Sequence, residues 1–264
     1  MEQSATTQSE ARERTLRVIG LTQDGQLVRF RAGSPHIAKP IGRVWGLQSP
    51  DTALIGMDFR MQDGQLYGVG NGGGVYTIDP TTAQATFVNA LTIPLMGTFF
   101  GLDFSSAADC LRIISDTGLN LAHDVNPGGI TIALGTLPYT APPVTLVPAL
   151  GVTRATDTHN DLGLATGTTL FDSGTTLDQV AMQAPSGTGL LGAPGQLRAD
   201  AQTPVGFDID SRLDRGGTLE HRGYASLAVN GAYGFYRINL LTGQAHWLGT
   251  FKKPIVDIAI PLNQ

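Results

Sequence analysis

The sequence predicts an all-β protein, and within that class a five-bladed β-propeller closed by pairing of its two chain ends, with six blades as the alternative. Three observations predict it. Gly and Pro are abundant, 34 and 15 of 264 residues, which favours turns over helix interiors. The helix-surface residues Lys and Glu occur only at Lys39, Lys252, Lys253 and at Glu2, Glu10, Glu13, Glu220, while Thr, Val, Ile, Phe and Tyr recur throughout. A phrase of the form apolar, Gly, apolar, Asp, apolar also returns along the chain with a period of about 50 residues, the length of a four-stranded blade.

Taken in order, residues 1–14 are polar and read as a disordered or frayed helical tail, leaving 15–264 as one propeller domain. Leu16 to Leu21, Gln26 to Arg31 and Ile37 to Trp45 read as three strands without an inner partner of their own. Inner strands are expected near 55–59, 100–104, 149–155, 205–209 and 255–260. Three carry the full phrase, Ile55-Gly56-Met57-Asp58-Phe59, Phe100-Gly101-Leu102-Asp103-Phe104 and Val205-Gly206-Phe207-Asp208-Ile209, and Ile255-Val256-Asp257-Ile258 is a degenerate copy. Residues 75–88 and 235–248 align without a gap as strand, turn and strand, the turns opened by Asp79 and Asn239. The last inner strand has no residues after it to complete a blade, so the three N-terminal strands should pair with it. That closure removes the sheet edges that would otherwise stay open.

Several phrases carry a resemblance: Gly64-Gln65-Leu66-Tyr67-Gly68-Val69-Gly70, Val75-Tyr76-Thr77-Ile78-Asp79-Pro80, Leu111-Arg112-Ile113-Ile114-Ser115-Asp116-Thr117-Gly118-Leu119-Asn120-Leu121 and Ala165-Thr166-Gly167-Thr168-Thr169-Leu170-Phe171. From about residue 50 onward the chain resembles a bacterial domain-of-unknown-function family built from repeated GxDF, LYG and LYTIDP units. The resemblance implies a propeller-like fold and no assigned activity.

Charge narrows the partners. With 17 basic and 22 acidic residues the net charge is −5, and no basic cluster exceeds Lys252-Lys253, so nucleic acid is not an expected partner. No apolar run is long enough to span a membrane as a helix, and Met1 to Arg14 contains no apolar leader core. The expectation is a cytoplasmic protein if Met1 is native and a secreted one if a leader has been removed; the oligomeric state stays open. The single Cys110, in an apolar run, reads as a buried structural thiol.

Motifs with a known chemistry mostly dissolve in context. Gly68-Val69-Gly70-Asn71-Gly72-Gly73 matches GxGxxG, but a strand follows it instead of a helix, so Asn71 to Gly74 reads as a hairpin turn. Asp208 to Asp214 places three carboxylates in an expected loop without the order or terminal Glu of a calcium loop. His36, His123, His159, His221 and His246 have no zinc spacing. No metal site and no cofactor are expected; a cation at the pore is the weaker alternative.

The candidate site is the central funnel. Asp58, Asp103, Asp208 and Asp257 occupy equivalent inner-strand positions and should ring the axis. There they either accept hydrogen bonds that lock the blades or, with a raised pKa, act as acids and bases. Residues 80–102 and 125–153 carry no charge although both windows cross expected loops. The loops at 90–99 and 136–148 should stand over the pore mouth, with Met96, Phe99, Phe100 and Tyr139 as apolar walls. Arg112, Asn120, His123 and Arg154 are the polar groups expected to reach the pocket, Arg112 with Asn120 as an anion or carbonyl clamp. Asp157-Thr158-His159-Asn160-Asp161 is dyad-like but falls on the opposite face. Two functions follow: a cofactor-independent lyase, isomerase or cyclase acting on a largely apolar metabolite, or a non-catalytic propeller binding a ligand or partner.

Overall fold

The computed structural model describes residues 11–135, 138–141, 145–148, 152–158, 170–174, 178–183, 191–214, 217–262 and 264. The chain is all-β and propeller-like. β1 (Arg17–Thr22), β2 (Gln26–Arg31) and β3 (Lys39–Arg43) form a meander. Next come β4 (Leu54–Phe59), β5 (Leu66–Gly70), β6 (Gly74–Ile78) and β7 (Ala85–Ala90), then β8 (Phe100–Ser105), β9 (Cys110–Ser115), β10 (Asn120–His123) and β11 (Thr131–Ala133). β12 (Pro138–Ala141), β13 (Thr145–Pro148), β14 (Val152–Asp157), β15 (Leu170–Gly174), β16 (Gln179–Gln183) and β17 (Leu191–Gln196) follow. The chain ends with β18 (Ala201–Asp214), β19 (Gly217–Val229), β20 (Ala232–Ile238), β21 (Ala245–Thr250) and β22 (Ile255–Ala259).

Four of the sheets are four-stranded blades, in the orders β22-β1-β2-β3, β4-β5-β6-β7, β8-β9-β10-β11 and β18-β19-β20-β21. The first is the expected closure: C-terminal β22 pairs antiparallel with N-terminal β1, Ile19 opposite Ala259 and Leu21 opposite Asp257. The remaining sheet has six strands, in the order β13-β12-β17-β16-β15-β14. Residues 136–148, expected as a loop over the pore, therefore include strands β12 and β13 of this sheet. Residues 208–214 are likewise not a loop, because β18 runs through them. Cys110 is half-buried, short of the full burial expected.

Inner strands abut one another in the sequence β22, β4, β8, β14, β18 and back to β22. Glycine makes the approach possible. A Cβ at Gly206 would meet the backbone of Asp257 and Ile258 at 2.9 Å, and one at Gly56 would meet Leu102 at 2.7 Å. Each of these glycines stands two residues before a ring Asp, so the repeat couples close strand approach to carboxylate placement.

The core lies between blade faces, with no single central layer. One cluster joins β1 and β2 to β19 and β20 through Phe30, Tyr224, Phe235 and Phe251, with the Phe30 ring edge-on to Phe235 and to Phe251 at 5.1 Å. Leu27, Met57, Leu66 and Tyr76 fill the next interface, and Val69, Leu102, Leu111 and Ile113 the one after it. The aligned hairpins are alike in detail. Asp79 Oδ1 accepts the backbone N–H of Thr81 at 2.7 Å, and Asn239 Oδ1 accepts that of Leu241 at 3.0 Å.

Residues 11–15 form a helical turn in which Arg12 makes a two-pronged ion pair with Asp210, at 3.0 and 2.8 Å, and Glu13 is buried; residues 1–10 lie outside the described ones.

Candidate functional site

The four inner-strand carboxylates converge as expected. Asp58, Asp103 and Asp208 each bring an oxygen to a cluster in which these atoms lie within 4.8 Å of one another, and Asp257 is buried beside it. Their first task is visible in their partners. Asp58 Oδ2 accepts the N–H of Phe104 on β8 at 2.7 Å. Asp208 Oδ2 accepts that of Ile260 just past β22 at 2.6 Å, and Asp257 Oδ2 that of Met57 on β4 at 2.8 Å. A blade thus reaches with its carboxylate into the backbone of the next, a charge-assisted clasp between neighbours.

Burial shifts two of these groups. Burial, reinforced by the charge of Asp208, pushes Asp58 well above the usual carboxylate range. Burial likewise pushes Asp208 up to about 7, against the two backbone N–H bonds from Ile260 and Ile209 that favour its charged form. Carboxylates this close can share protons or accept a hard cation. The backbone bonds already engage both oxygens of Asp208 and one of Asp58.

A cavity of about 460 Å³ opens at the mouth, where the inner strands begin. Leu54, Ile55, Phe99, Phe100, Val205 and Val256 line it, so Phe99 and Phe100 stand where the sequence places them. None of the four ring aspartates lines it. In each full repeat the wall residue, Ile55, Phe100 or Val205, precedes its Asp by three positions, roughly 10 Å along a strand. Asp58, Asp103 and Asp208 therefore lie further along their strands than the wall residues, and none of the four ring carboxylates borders this cavity.

Other expected site residues lie elsewhere. Met96 does not wall the cavity: the residue is 65% exposed, and its carbonyl accepts the hydroxyl of Ser115 at 2.7 Å. Arg112 and Asn120 do meet, Arg112 Nη2 donating to Asn120 Oδ1 at 3.0 Å, but both are buried within their blade and neither borders the cavity. The register explains this, since Arg112 pairs with Asp103 on one side and Ala122 on the other, so the clamp lies on an inter-blade face. His123 is also buried in the blade, away from the mouth. Its Nε2 lies 2.9 Å from Asn89 Oδ1 and its Nδ1 3.1 Å from Thr131 Oγ1, and burial lowers its pKa. Asn89 Nδ2 donates to two backbone carbonyls, which leaves Oδ1 as acceptor and makes His123 Nε2 the protonated nitrogen of a neutral ring. Tyr139 lies in β12 and Arg154 in β14; their side chains, and residues 159–161 of the dyad-like segment, lie outside the described residues.

The glycine-rich turn does hold an anion, one supplied by the chain itself. Residues Asn71 to Gly73 join β5 to β6 as the expected hairpin turn, and the carboxylate of Asp51 accepts the backbone N–H groups of Gly72 and of Gly74 and, at 2.6 Å, the hydroxyl of Tyr76. A Cβ at Gly70 or Gly74 would collide with that carboxylate, which accounts for the glycines. Sequence reasoning also missed Thr22, Asp24 and Arg43, which line the cavity from the β1–β2 turn and the end of β3. Their only signal was that the N-terminal strands must close the ring and so bring their turn to the mouth.

No curated protein matches the sequence. Among solved structures, a chain of the nidogen/laminin complex superposes with a TM-score of 0.51 at 11% identity, covering 94% of this chain and 99% of that one. A Bacteroides thetaiotaomicron protein of unknown function gives 0.48 at 11% identity, covering 94% of this chain and 65% of its own. An auxiliary nutrient binding protein from Bacteroides ovatus gives 0.46 at 12%, covering 78% and 55%. At such identities the likeness is one of fold alone. A family model described as a domain of unknown function, DUF4394, matches residues 26–259, most of the chain. The chain therefore belongs to the DUF4394 family.

Proposed function

We propose that this chain is a five-bladed propeller, with the six-stranded sheet as its fifth blade, and that it binds a small, largely apolar molecule at the funnel mouth without transforming it. The blade count is supported by the closed cycle of inner strands, β22 to β4, β8, β14 and β18. The binding reading is carried by one observation: a cavity of about 460 Å³ with mostly apolar walls lies at the mouth, and no ring aspartate lines it. That volume falls in the usual range of small-molecule sites. Leu54, Ile55, Phe99 and Val256 are only half-buried there, leaving apolar surface for a ligand to cover. Acid/base chemistry would require a carboxyl free to meet the ligand, whereas Asp58, Asp208 and Asp257 each accept a backbone N–H of a neighbouring strand, and the lining Asp24 is held by Thr22 and Lys253.

The test uses Nile red, a neutral apolar dye whose emission rises on leaving water. Val256→Trp, which fills the cavity, should abolish the response, while Asp208→Asn, folded by circular dichroism, should keep it. A response lost in Asp208→Asn and kept in Val256→Trp would overturn the reading and return the ring carboxylates to the centre of the function.

A further inference from the structure

We infer that the occupant of the mouth cavity is a small amphipathic organic anion, with an apolar body on the inner-strand wall and one carboxylate held by Arg43. The inference rests on the binding reading above and specifies its ligand. Two charged side chains line the cavity among the described residues, Asp24 and Arg43. Asp24 is already matched: the Thr22 hydroxyl donates to its Oδ1 at 2.5 Å, and Lys253 Nζ lies 3.5 Å from its Oδ2. Arg43 is not matched. It is exposed at the end of β3, and no carboxylate comes within 4 Å of its guanidinium among the described residues.

Its backbone is nonetheless anchored. The N–H of the next residue, Val44, donates to the carbonyl of Gly25 at 3.0 Å, which ties the end of β3 to the turn that forms the rim. A second cation stands beside it. Gln26 is the cross-strand partner of Arg43, and Lys253 Nζ donates to Gln26 Oε1 at 3.2 Å. The lining therefore carries one uncompensated positive charge above half-buried Leu47, Leu54, Ile55 and Val256. A purely apolar occupant would cover the wall and leave that charge unanswered. A carboxylate answers it with two parallel N–H···O bonds, the geometry a guanidinium offers.

Isothermal titration of the full chain with 4-phenylbutyrate, 4-phenylbutan-1-ol and 4-phenylbutylamine tests this, since the three probes share a body and differ in headgroup charge. The carboxylate should bind about tenfold more tightly than the alcohol, as expected for one charge-assisted pair, and the amine more weakly still. Arg43→Gln should erase the preference and keep the affinity for the alcohol. Val256→Trp should abolish binding of all three. Equal binding of alcohol and carboxylate, or a preference that survives Arg43→Gln, overturns the inference while leaving the binding reading in place. If none of the three binds but the cavity still takes Nile red, the ligand class alone is wrong; if Nile red fails as well, the binding reading falls with it.

Discussion

Asp257 and Met57, 200 residues apart in sequence, are joined by one bond: the Asp257 carboxylate accepts the Met57 backbone N–H at 2.8 Å, deep beside the propeller axis. The bond fastens the closing strand β22 to β4, so it acts on the seam where the ring is shut. Its two components, an acceptor and a charge, can be separated. Asn at this position keeps an acceptor for Met57 and removes a charge that raises the pKa of both Asp58 and Asp208. Asp257→Ala leaves a buried N–H unanswered and should cost about 1–3 kcal/mol in urea unfolding, while Asp257→Asn should stay near the wild type. Equal losses in both variants would mean that the charge itself is required.

The same ring sets a pH dependence with an unusual sign. Asp58 and Asp208 bind protons more readily folded than unfolded, where a carboxyl titrates near 3.9. Between about pH 4 and the folded value of Asp208, about 7, the native state holds more protons than the unfolded one, so this contribution to stability falls as pH rises. Urea midpoints for the wild type and Asp208→Asn between pH 5 and pH 8 check it. The decline toward alkaline pH should be shallower in the variant, and parallel curves would show that Asp208 does not titrate in this window.

How much of this could be read beforehand is clearest at the ring. Asp58, Asp103 and Asp208 were legible because the phrase around them repeats, and equivalent positions on repeated inner strands must share an axis. Closure through β1 and β22 was legible because the last inner strand had nothing after it. Arg112 and Asn120 were legible as a pair, across a short hairpin, but not as a pair buried on the face that meets the neighbouring blade. Which face of a strand meets the neighbouring blade depends on how the blades stack, and a single strand does not encode that. Met96 failed for a related reason: an apolar loop residue can point at the mouth or away from it with the same sequence. The stretch containing Pro138–Ala141 and Thr145–Pro148 was misread as loop because its prolines and lack of charge hide the alternation that marks a strand.

His123 titrates in the opposite sense to the ring. Its ring is neutral with the proton on Nε2, aimed at Asn89 Oδ1, and burial disfavours the charged form. A depressed folded pKa means that this contribution is intact above about pH 6.5 and is lost as pH falls toward the folded value. Nitrogen-15 NMR should show a protonated Nε2 and an unprotonated Nδ1, with no titration step for this ring at 6.5 or above. A midpoint above 6.5 would contradict the burial argument and the tautomer with it.

Asp51 gives the glycine-rich turn its purpose. Removing the Tyr76 hydroxyl takes one donor from the carboxylate, which keeps its backbone partners, and one acceptor from the Gln48 N–H, whereas removing the carboxylate leaves two backbone N–H groups unanswered while the hydroxyl keeps only Gln48. Tyr76→Phe should therefore cost about 1 kcal/mol, and Asp51→Ala at least twice as much. Gly74→Ala should resemble Asp51→Ala, because its methyl would displace the carboxylate. A mild Asp51→Ala in urea unfolding would show that the turn closes without its internal anion.

The N-terminal turn offers a last test, of whether residues 11–15 belong to the domain. Arg12 reaches Asp210 with two nitrogens at 3.0 and 2.8 Å, Asp210 is buried, and Gly33 lies so close to Arg14 that a Cβ there would meet its backbone at 2.9 Å. A buried carboxylate that loses its guanidinium suffers more than the pair gains, since its desolvation is then uncompensated. Arg12→Ala should thus destabilise by about 3 kcal/mol, and adding Asp210→Asn should recover a substantial part of the loss. Recovery in the double variant identifies the pair as a docked contact between the N-terminal turn and β18. Strict additivity of the two single losses would instead show that Arg12 and Asp210 act independently and that the turn is held by other contacts.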